Sequence, residues 1–253
     1  MTKIEWVKNP DNRTQGMTWN PITGCLNECP YCFARKLANT RLRERYLDHT
    51  ANVKTLDSVR PSDFINPFYP RFWPDKLDIP MKRKKPTGYF VCDMSDWVGI
   101  GIPSEWSWGI METIVATPQH RYYTLTKQPQ NLLKFSPFPE NCWVGVSTPD
   151  QPTLTVACDH LATIKASVKF LSFEPLLGDP GTSDYLWQEF YLGKIDWVII
   201  GEQTPHNQKT TPRVEWVSEI IEAADKIHIP VFVKEPLASH LNIHREEMPE
   251  VRQ

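Results

Sequence analysis

No stretch of the chain approaches the ~18 consecutive apolar residues that a membrane-spanning helix needs, so no membrane contact is expected. An excess of charge of one sign is also lacking. The 28 Lys and Arg stand against 30 Asp and Glu, a net charge of −2. This removes whole-chain basicity as an argument for nucleic acid but leaves room for a local basic patch. No secretory signal pattern is present, and at 253 residues the chain does not read as a small secreted domain held by disulfides. There is no internal repeat, no low-complexity tract and no convincing linker, so residues 1–253 are expected to form a single domain. Apolar and aromatic residues, by contrast, are plentiful. Hydrophobic residues at 40% supply a sizeable core, and ten Trp with 23 Pro suggest a loop-rich, aromatic-lined domain.

Three of the six cysteines fall within eight positions, in Gly24-Cys25-Leu26-Asn27-Glu28-Cys29-Pro30-Tyr31-Cys32. Thiolate is the ligand that iron–sulfur clusters use, and three of them can hold three irons of a [4Fe–4S] cube. No further cysteine follows at short spacing to take the fourth iron. That iron would be an open Lewis-acid position, much as a catalytic zinc keeps open the position that a structural zinc closes. A zinc site wants four ligands, and the nearest histidine, His49, lies 17 residues beyond Cys32. Reduced thiolates and an iron site together imply a reducing cytoplasm.

Short apolar runs alternate with helical patterns. Strands are expected near residues 16–20 and at 89–92, 122–126, 143–146, 168–173, 197–200 and 229–233. A capped helix from Ser104 carries Trp106, Ile110 and Ile114 on one face and stops at Pro118. A short helix opens at Pro129, and another places Leu154, Cys158, Leu161 and Ile164 at helical spacing. A further helix over residues 213–226 has Thr211 as cap and Pro212 at its first position. Alternating strands and helices predict an α/β fold with parallel βαβ units. Near-continuous apolar strands agree, because a parallel sheet is covered on both faces. An open doubly wound sheet fits this pattern as well as a barrel does. Residues 50–87, rich in Pro and basic residues, read as an insertion.

The strand ends are polar: Asp93-Met94-Ser95-Asp96, Thr126-Lys127, Ser147-Thr148, Glu174-Pro175, Gly201-Glu202-Gln203 and Lys234-Glu235. Each alone could be a strand leaving into water. Together they read as the lining of one cavity at the carboxyl ends of the strands. Cys92 ends its strand and is a candidate thiol hydrogen donor, with a small buried core residue as the alternative. Cys142 and Cys158 read as structural on the same ground.

The C-x3-C-x2-C spacing, with the aromatic Tyr31 before the last cysteine, resembles the signature of radical S-adenosylmethionine (SAM) enzymes. The resemblance implies a partial TIM-type barrel of six to seven βα units. It also implies an open iron that chelates the amino and carboxylate groups of SAM, and an electron that breaks the sulfonium C–S bond to give a 5′-deoxyadenosyl radical. A donor such as flavodoxin or ferredoxin would supply that electron. Of the strand-end residues, Lys127 could pair with the SAM carboxylate, and Asp93 or Ser95 could accept from its ammonium. Relatives carry Gly-Gly-Glu at the second strand exit, where this chain has Cys92-Asp93-Met94-Ser95-Asp96. Ser147 and Glu174 fall where relatives contact ribose and methionine, and Tyr31 matches the aromatic near adenine. Gly201 and Glu202 begin a further ligand-contacting loop.

More narrowly, several blocks resemble the phage and prophage three-Cys-motif proteins. They include Thr18-Trp19-Asn20-Pro21, Phe90-Val91-Cys92-Asp93-Met94-Ser95-Asp96, Phe170-Leu171-Ser172-Phe173-Glu174-Pro175 and Asp196-Trp197-Val198-Ile199-Ile200-Gly201-Glu202. Where such relatives commonly carry Gly-Gly-Glu-Ser-Gly, this chain reads Gly201-Glu202-Gln203-Thr204-Pro205.

Two basic clusters bear on the substrate: Lys82-Arg83-Lys84-Lys85, and Arg35, Lys36, Arg41, Arg43 and Arg45 after the cysteines. Such groups bind phosphate, although solvated surfaces look the same. Phe64, Phe68, Tyr69, Phe72 and Trp73 could stack on bases or pack the insertion onto the barrel. The phage-type resemblance favours modification of a nucleic-acid base or nucleotide, with Lys82, Arg83, Lys84 and Lys85 holding phosphates. The alternatives are a radical enzyme acting on a peptide or small metabolite, and a non-catalytic iron–sulfur protein that binds nucleic acid.

Overall fold

The structure, a computed structural model, describes residues 4–47 and 61–250. His49 and residues 50–60 of the expected insertion lie outside the described residues. Seven strands form one sheet: β1 (Met17–Trp19), β2 (Gly88–Val91), β3 (Arg121–Thr126), β4 (Cys142–Ser147), β5 (Lys169–Phe173), β6 (Trp197–Ile200) and β7 (Val231–Val233). They lie side by side in chain order, and each neighbouring pair is parallel. The sheet curls into a half-barrel whose edge strands, β1 and β7, do not pair with each other. An α/β partial barrel is therefore what forms, rather than an open doubly wound sheet.

Helices follow the strands: α1 (Phe33–Asn39), α2 (Ser104–Ala116), α3 (Gln151–Thr163), α4 (Ser183–Gly193), α5 (Val214–Lys226) and α6 (Leu237–Leu241). After β3 the connection is a 3-10 helix, Pro129–Phe135. No helix among the described residues is long and apolar enough to cross a membrane.

Both faces of the sheet are buried, and alternate residues of each strand divide between them. The outer set packs against the helices: Val144 and Val146 of β4, Leu171 and Phe173 of β5, and Val198 and Ile200 of β6. The inner set is aromatic: Phe90, Tyr123, Trp143, Phe170, Trp197 and Phe232 surround Trp6, which comes from the N-terminal segment. The Trp6 ring lies 5.0 Å from Phe90 and 6.0 Å from Trp197, so one side chain spans the bowl of the half-barrel. Gly145 is required here because a Cβ would stand 2.2 Å from the Phe170 ring.

Two helix starts differ from the sequence expectation. α2 begins at Ser104 but Pro103 stands at its cap without a side-chain hydrogen bond, and α5 begins at Val214 with Arg213 as an uncapped start. Thr211 and Pro212 precede that helix rather than opening it. The described part of the insertion folds back on the barrel. Its Arg71–Phe72 pairs antiparallel with Ile22–Thr23, Phe72 stacks on Trp106 at 5.3 Å, and Phe68, Tyr69 and Trp73 are buried. Most of its aromatics are thus packing groups.

Candidate active site at the strand ends

The cysteine loop runs from β1 to α1 and is fastened to the exit of β2. Gly24 donates to the Met94 carbonyl at 2.8 Å, and the Ser95 hydroxyl donates to the Gly24 carbonyl at 2.5 Å. Gly24 has φ +82, and a Cβ there would meet the Tyr69 carbonyl oxygen at 2.4 Å, so glycine alone fits. The Cys25 amide donates to the Phe68 carbonyl at 3.0 Å, which seats the insertion against the loop. Backbone amides approach two of the sulfurs: Asn27 N–H to Cys25 at 3.4 Å, and Arg35 N–H to Cys32 at 3.3 Å, where Cys32 caps α1.

All three thiols are partly buried and free of disulfides. Burial pushes the Cys25 thiol up to about 11, against the opposing Asn27 amide. Burial also raises Cys29, while the nearby Lys127 charge pulls it down. A positive group and backbone donors around sulfur suit an anionic ligand set. Among the described residues the one trio of possible metal ligands within 4.8 Å of one another contains no cysteine. Three thiols at one cavity, beside a positive group, are a donor set that could hold three irons of a [4Fe–4S] cluster.

Lys127 stands across from the loop. Its ammonium donates to the Ser147 hydroxyl at 2.6 Å and lies 5.3 Å from the centre of the Tyr31 ring. Burial lowers its pKa, while Cys29 and Asp96 raise it. Asp96 is buried and accepts from the Thr126 hydroxyl at 2.7 Å, the Lys127 amide at 2.9 Å and Asn27 Nδ2 at 3.0 Å. It thereby joins the cysteine loop to the exit of β3. Burial raises the pKa of Asp96 and of Asp93, whose carboxylate accepts from Asn20 Nδ2 at 2.5 Å.

At the later strands, Glu174 pairs with Lys234. The Ser147 hydroxyl lies 3.3 Å from the Glu174 carbonyl oxygen, to which it donates. Glu202 is buried between His206 and His240.

Most of these groups, though not Asn20, Lys234, His206 or His240, border one cavity of about 250 Å³. It brings together Cys25, Cys29, Cys32 and Tyr31 from the loop, Cys92, Asp93 and Ser95 from the exit of β2, and Lys127, Ser147, Glu174 and Glu202 from later strands. Cys92 borders it from a fully buried position in the outer core, and its φ of 58 turns the chain out of β2 one residue earlier than expected. Gly201 lies behind the wall, its amide bonded to the Phe173 carbonyl at 3.0 Å, with the Glu174 side chain filling the space a Cβ would need.

Lys82, Arg83, Lys84 and Lys85 are not brought to the cavity. They are exposed and lead into the amino end of β2, on the rim opposite the strand exits. Lys82 pairs with Asp78 at 3.4 Å, and Arg83 donates to the Thr87 hydroxyl at 2.7 Å. The second basic cluster lies closer. Arg35 and Arg43 line a groove of about 440 Å³ that shares Cys25 and Phe68 with the cavity. Arg35 Nε is buried without a hydrogen-bond partner among the described residues.

Sequence reasoning missed Ile4 and Trp6, which reach the cavity from a segment with no motif. It assigned no role to Asn27 or Asp96, although both sit inside quoted blocks.

The fold has known counterparts. Two structures of spore photoproduct lyase variants match with a TM-score of 0.52, one at 14% identity and the other, holding a dinucleoside spore photoproduct, at 13%. Each match covers 85% of this chain and 75% of the other. The likeness establishes that this chain shares their α/β partial-barrel fold. No curated protein matches the chain. A family model does, over residues 1–243, and the chain therefore belongs to the family described as "Protein of unknown function (DUF5131)".

Proposed function

We propose that this chain is a radical SAM enzyme acting on a base of a nucleic acid or nucleotide. The observation that carries the reading is the convergence of Cys25, Cys29 and Cys32 on a cavity lined by Lys127, Ser147 and Glu174. Bound at the three cysteines, a [4Fe–4S] cluster would leave one iron free of protein ligands to chelate SAM and would supply the electron that yields a 5′-deoxyadenosyl radical.

The residues divide the work of binding. Lys127 offers its ammonium to a carboxylate in a site where burial strengthens the attraction. Asp93, held by Asn20, and Ser95, which keeps acceptor lone pairs beyond its bond to Gly24, face the ammonium of the ligand. Tyr31 offers a ring face to adenine, and Ser147, Glu174 and Glu202 line the side of the later strands, with Gly201 leaving room behind Glu174. The Cys92 thiol, kept protonated by burial, is the candidate hydrogen donor. A low-potential donor such as flavodoxin or ferredoxin, in a reducing compartment such as the cytoplasm, would serve the cluster.

Two observations favour a nucleic-acid or nucleotide substrate. One is the likeness in fold to a lyase solved with a dinucleoside. The other is the groove of Arg35 and Arg43 beside the cysteine loop, where phosphates would position the substrate. Lys82, Arg83, Lys84 and Lys85 would hold only the backbone of a longer chain. The base must be free, single-stranded or flipped from a duplex to enter. The phage three-Cys-motif resemblance points to phage-type DNA modification.

The test is anaerobic reconstitution followed by mass analysis of SAM products with oligonucleotides, nucleotides and peptides. The reading requires 5′-deoxyadenosine, and its formation should respond to a base-containing substrate. No SAM cleavage by protein with full iron content would overturn it, and a response to peptide alone would move the substrate to that class.

A further inference from the structure

We propose that Glu202, His206 and His240 form a site for a divalent transition-metal ion at the rim of the cavity, separate from the cysteine loop. Glu202 and His206 follow β6, and His240 lies on α6 after β7, so neighbouring strand exits bring the three together. Glu202 Oε1 lies 2.8 Å from His206 Nδ1, and Oε2 lies 3.2 Å from His240 Nδ1. The two imidazole rings are 4.9 Å apart. One ligand atom from each residue lies within 4.8 Å of the other two. Modest side-chain rotation would close this spacing around an ion bound at ~2.0–2.2 Å by nitrogen and oxygen. Two imidazoles and a carboxylate suit zinc, iron, cobalt and nickel rather than magnesium or calcium.

The bland alternative is that two imidazoles merely satisfy a buried carboxylate. The charge balance argues for more. The Glu202 side chain is 2% exposed, and its only ion-pair partners among the described residues are the two histidines. Burying a carboxylate is costly unless it is paired, and no Lys or Arg among the described residues lies within ion-pair distance of this one. A bound ion would supply the positive charge without protonating either ring. The histidine side chains are 47% and 41% exposed, so an ion has a route in from solvent. Three protein ligands leave a position for water or an incoming oxygen, and one of the three, Glu202, lines the cavity. The site contains no cysteine, so it stands or falls separately from the radical SAM reading.

The experiment titrates Zn²⁺ and Co²⁺ anaerobically into the full chain carrying Cys25→Ser, Cys29→Ser and Cys32→Ser, followed by calorimetry and absorption. One ion per chain should bind, with a cobalt spectrum free of thiolate charge transfer. Adding His206→Ala or His240→Ala should weaken binding roughly tenfold or more, since losing even an outer partner of a metal ligand costs about 10–100-fold. A second measurement compares zinc content of the iron-reconstituted wild-type chain with that of the His206→Ala/His240→Ala variant. It should fall by one ion per chain with iron unchanged. No binding by a cysteine-substituted chain that keeps its fold, or retention of the ion after both histidines are replaced, would overturn the proposal. Should that chain fail to fold, the zinc content of the second pair decides.

Discussion

The Lys127 ammonium donates to the Ser147 hydroxyl at 2.6 Å, joining the exits of β3 and β4 inside the cavity. The same ammonium lies beside Tyr31, and its charge reaches Cys29. One cation thus faces both the expected cluster and the expected ligand. A hydrogen bond to a charged group is worth about 1.5–3 kcal/mol. Lys127→Met should therefore weaken SAM binding roughly 10- to 100-fold, and Ser147→Ala less, with iron content unchanged in both. Equilibrium binding of SAM to reconstituted protein checks this. Equal affinity in wild type and Lys127→Met would take Lys127 out of the site.

Asp96 tests the attachment of the cysteine loop. Removing its carboxylate leaves its donors, among them the Thr126 hydroxyl, the Lys127 amide and Asn27, without their acceptor, at about 1–3 kcal/mol for a buried group. Asp96→Ala should lower the melting temperature by several degrees, at about 2–4 °C per kcal/mol for a chain of this size, and should loosen cluster retention.

The pH dependence of Asp96 has a definite sign. Burial is the largest cause of its raised pKa, so the folded chain binds its proton more tightly than the unfolded chain does. That contribution is fully present below the ordinary carboxylate pKa of about 3.9 and is lost as pH rises through the folded-state value. Asp96→Asn should remove this slope. Urea unfolding of the two chains across a pH series measures it, and parallel curves would contradict it.

Gly145→Ala probes the inner aromatic layer. The new methyl would stand 2.2 Å from the Phe170 ring, and overpacking of this kind typically costs about 1–3 kcal/mol. Denaturant titration should show a lower midpoint with an unchanged slope.

The two basic clusters should separate by substrate length. Arg35→Gln with Arg43→Gln should weaken binding of dinucleotides and of long oligonucleotides alike. Neutralising Lys82, Arg83, Lys84 and Lys85, on the opposite rim, should affect only the longer chains and flatten their salt dependence. Affinity measured across a salt series distinguishes the two. A loss of dinucleotide binding from the four-residue change would place those residues closer to the cavity than the fold does.

The seven parallel strands were legible because each is a short apolar run, and an apolar run is what a doubly covered sheet demands. Helix starts were less so. Thr211 and Pro212 have the chemistry of a cap, yet α5 begins after them, and α2 starts without the expected side-chain cap. The helix α4 went unread although Thr182 caps it and Leu186 and Phe190 share its buried face, because exposed Tyr191 and Leu192 blur the period. The candidate site was legible wherever polar residues directly follow strands. Trp6 was not, because only tertiary packing carries it across the bowl. The grouping of Glu202 with His206 and His240 was equally hidden, since it depends on β6 and β7 being neighbours. Lys82 to Lys85 could be read as charge but not as to which rim they occupy.

β1 and β7 do not pair with each other, and at this seam the outer edge of β7 is covered by a later segment, with the Val233 amide donating to the Arg245 carbonyl at 2.8 Å and the Glu247 amide to the Val231 carbonyl at 3.1 Å. Near it, the Glu5 carboxylate accepts from the Glu235 amide at 2.9 Å, and Trp197 Nε1 bonds the Glu247 carbonyl at 2.9 Å. With no ladder between β1 and β7, the open side of the half-barrel is closed by the chain segments that flank the sheet and not by an eighth strand, so the wall there rests on a few side-chain and main-chain bonds outside the six strand pairings.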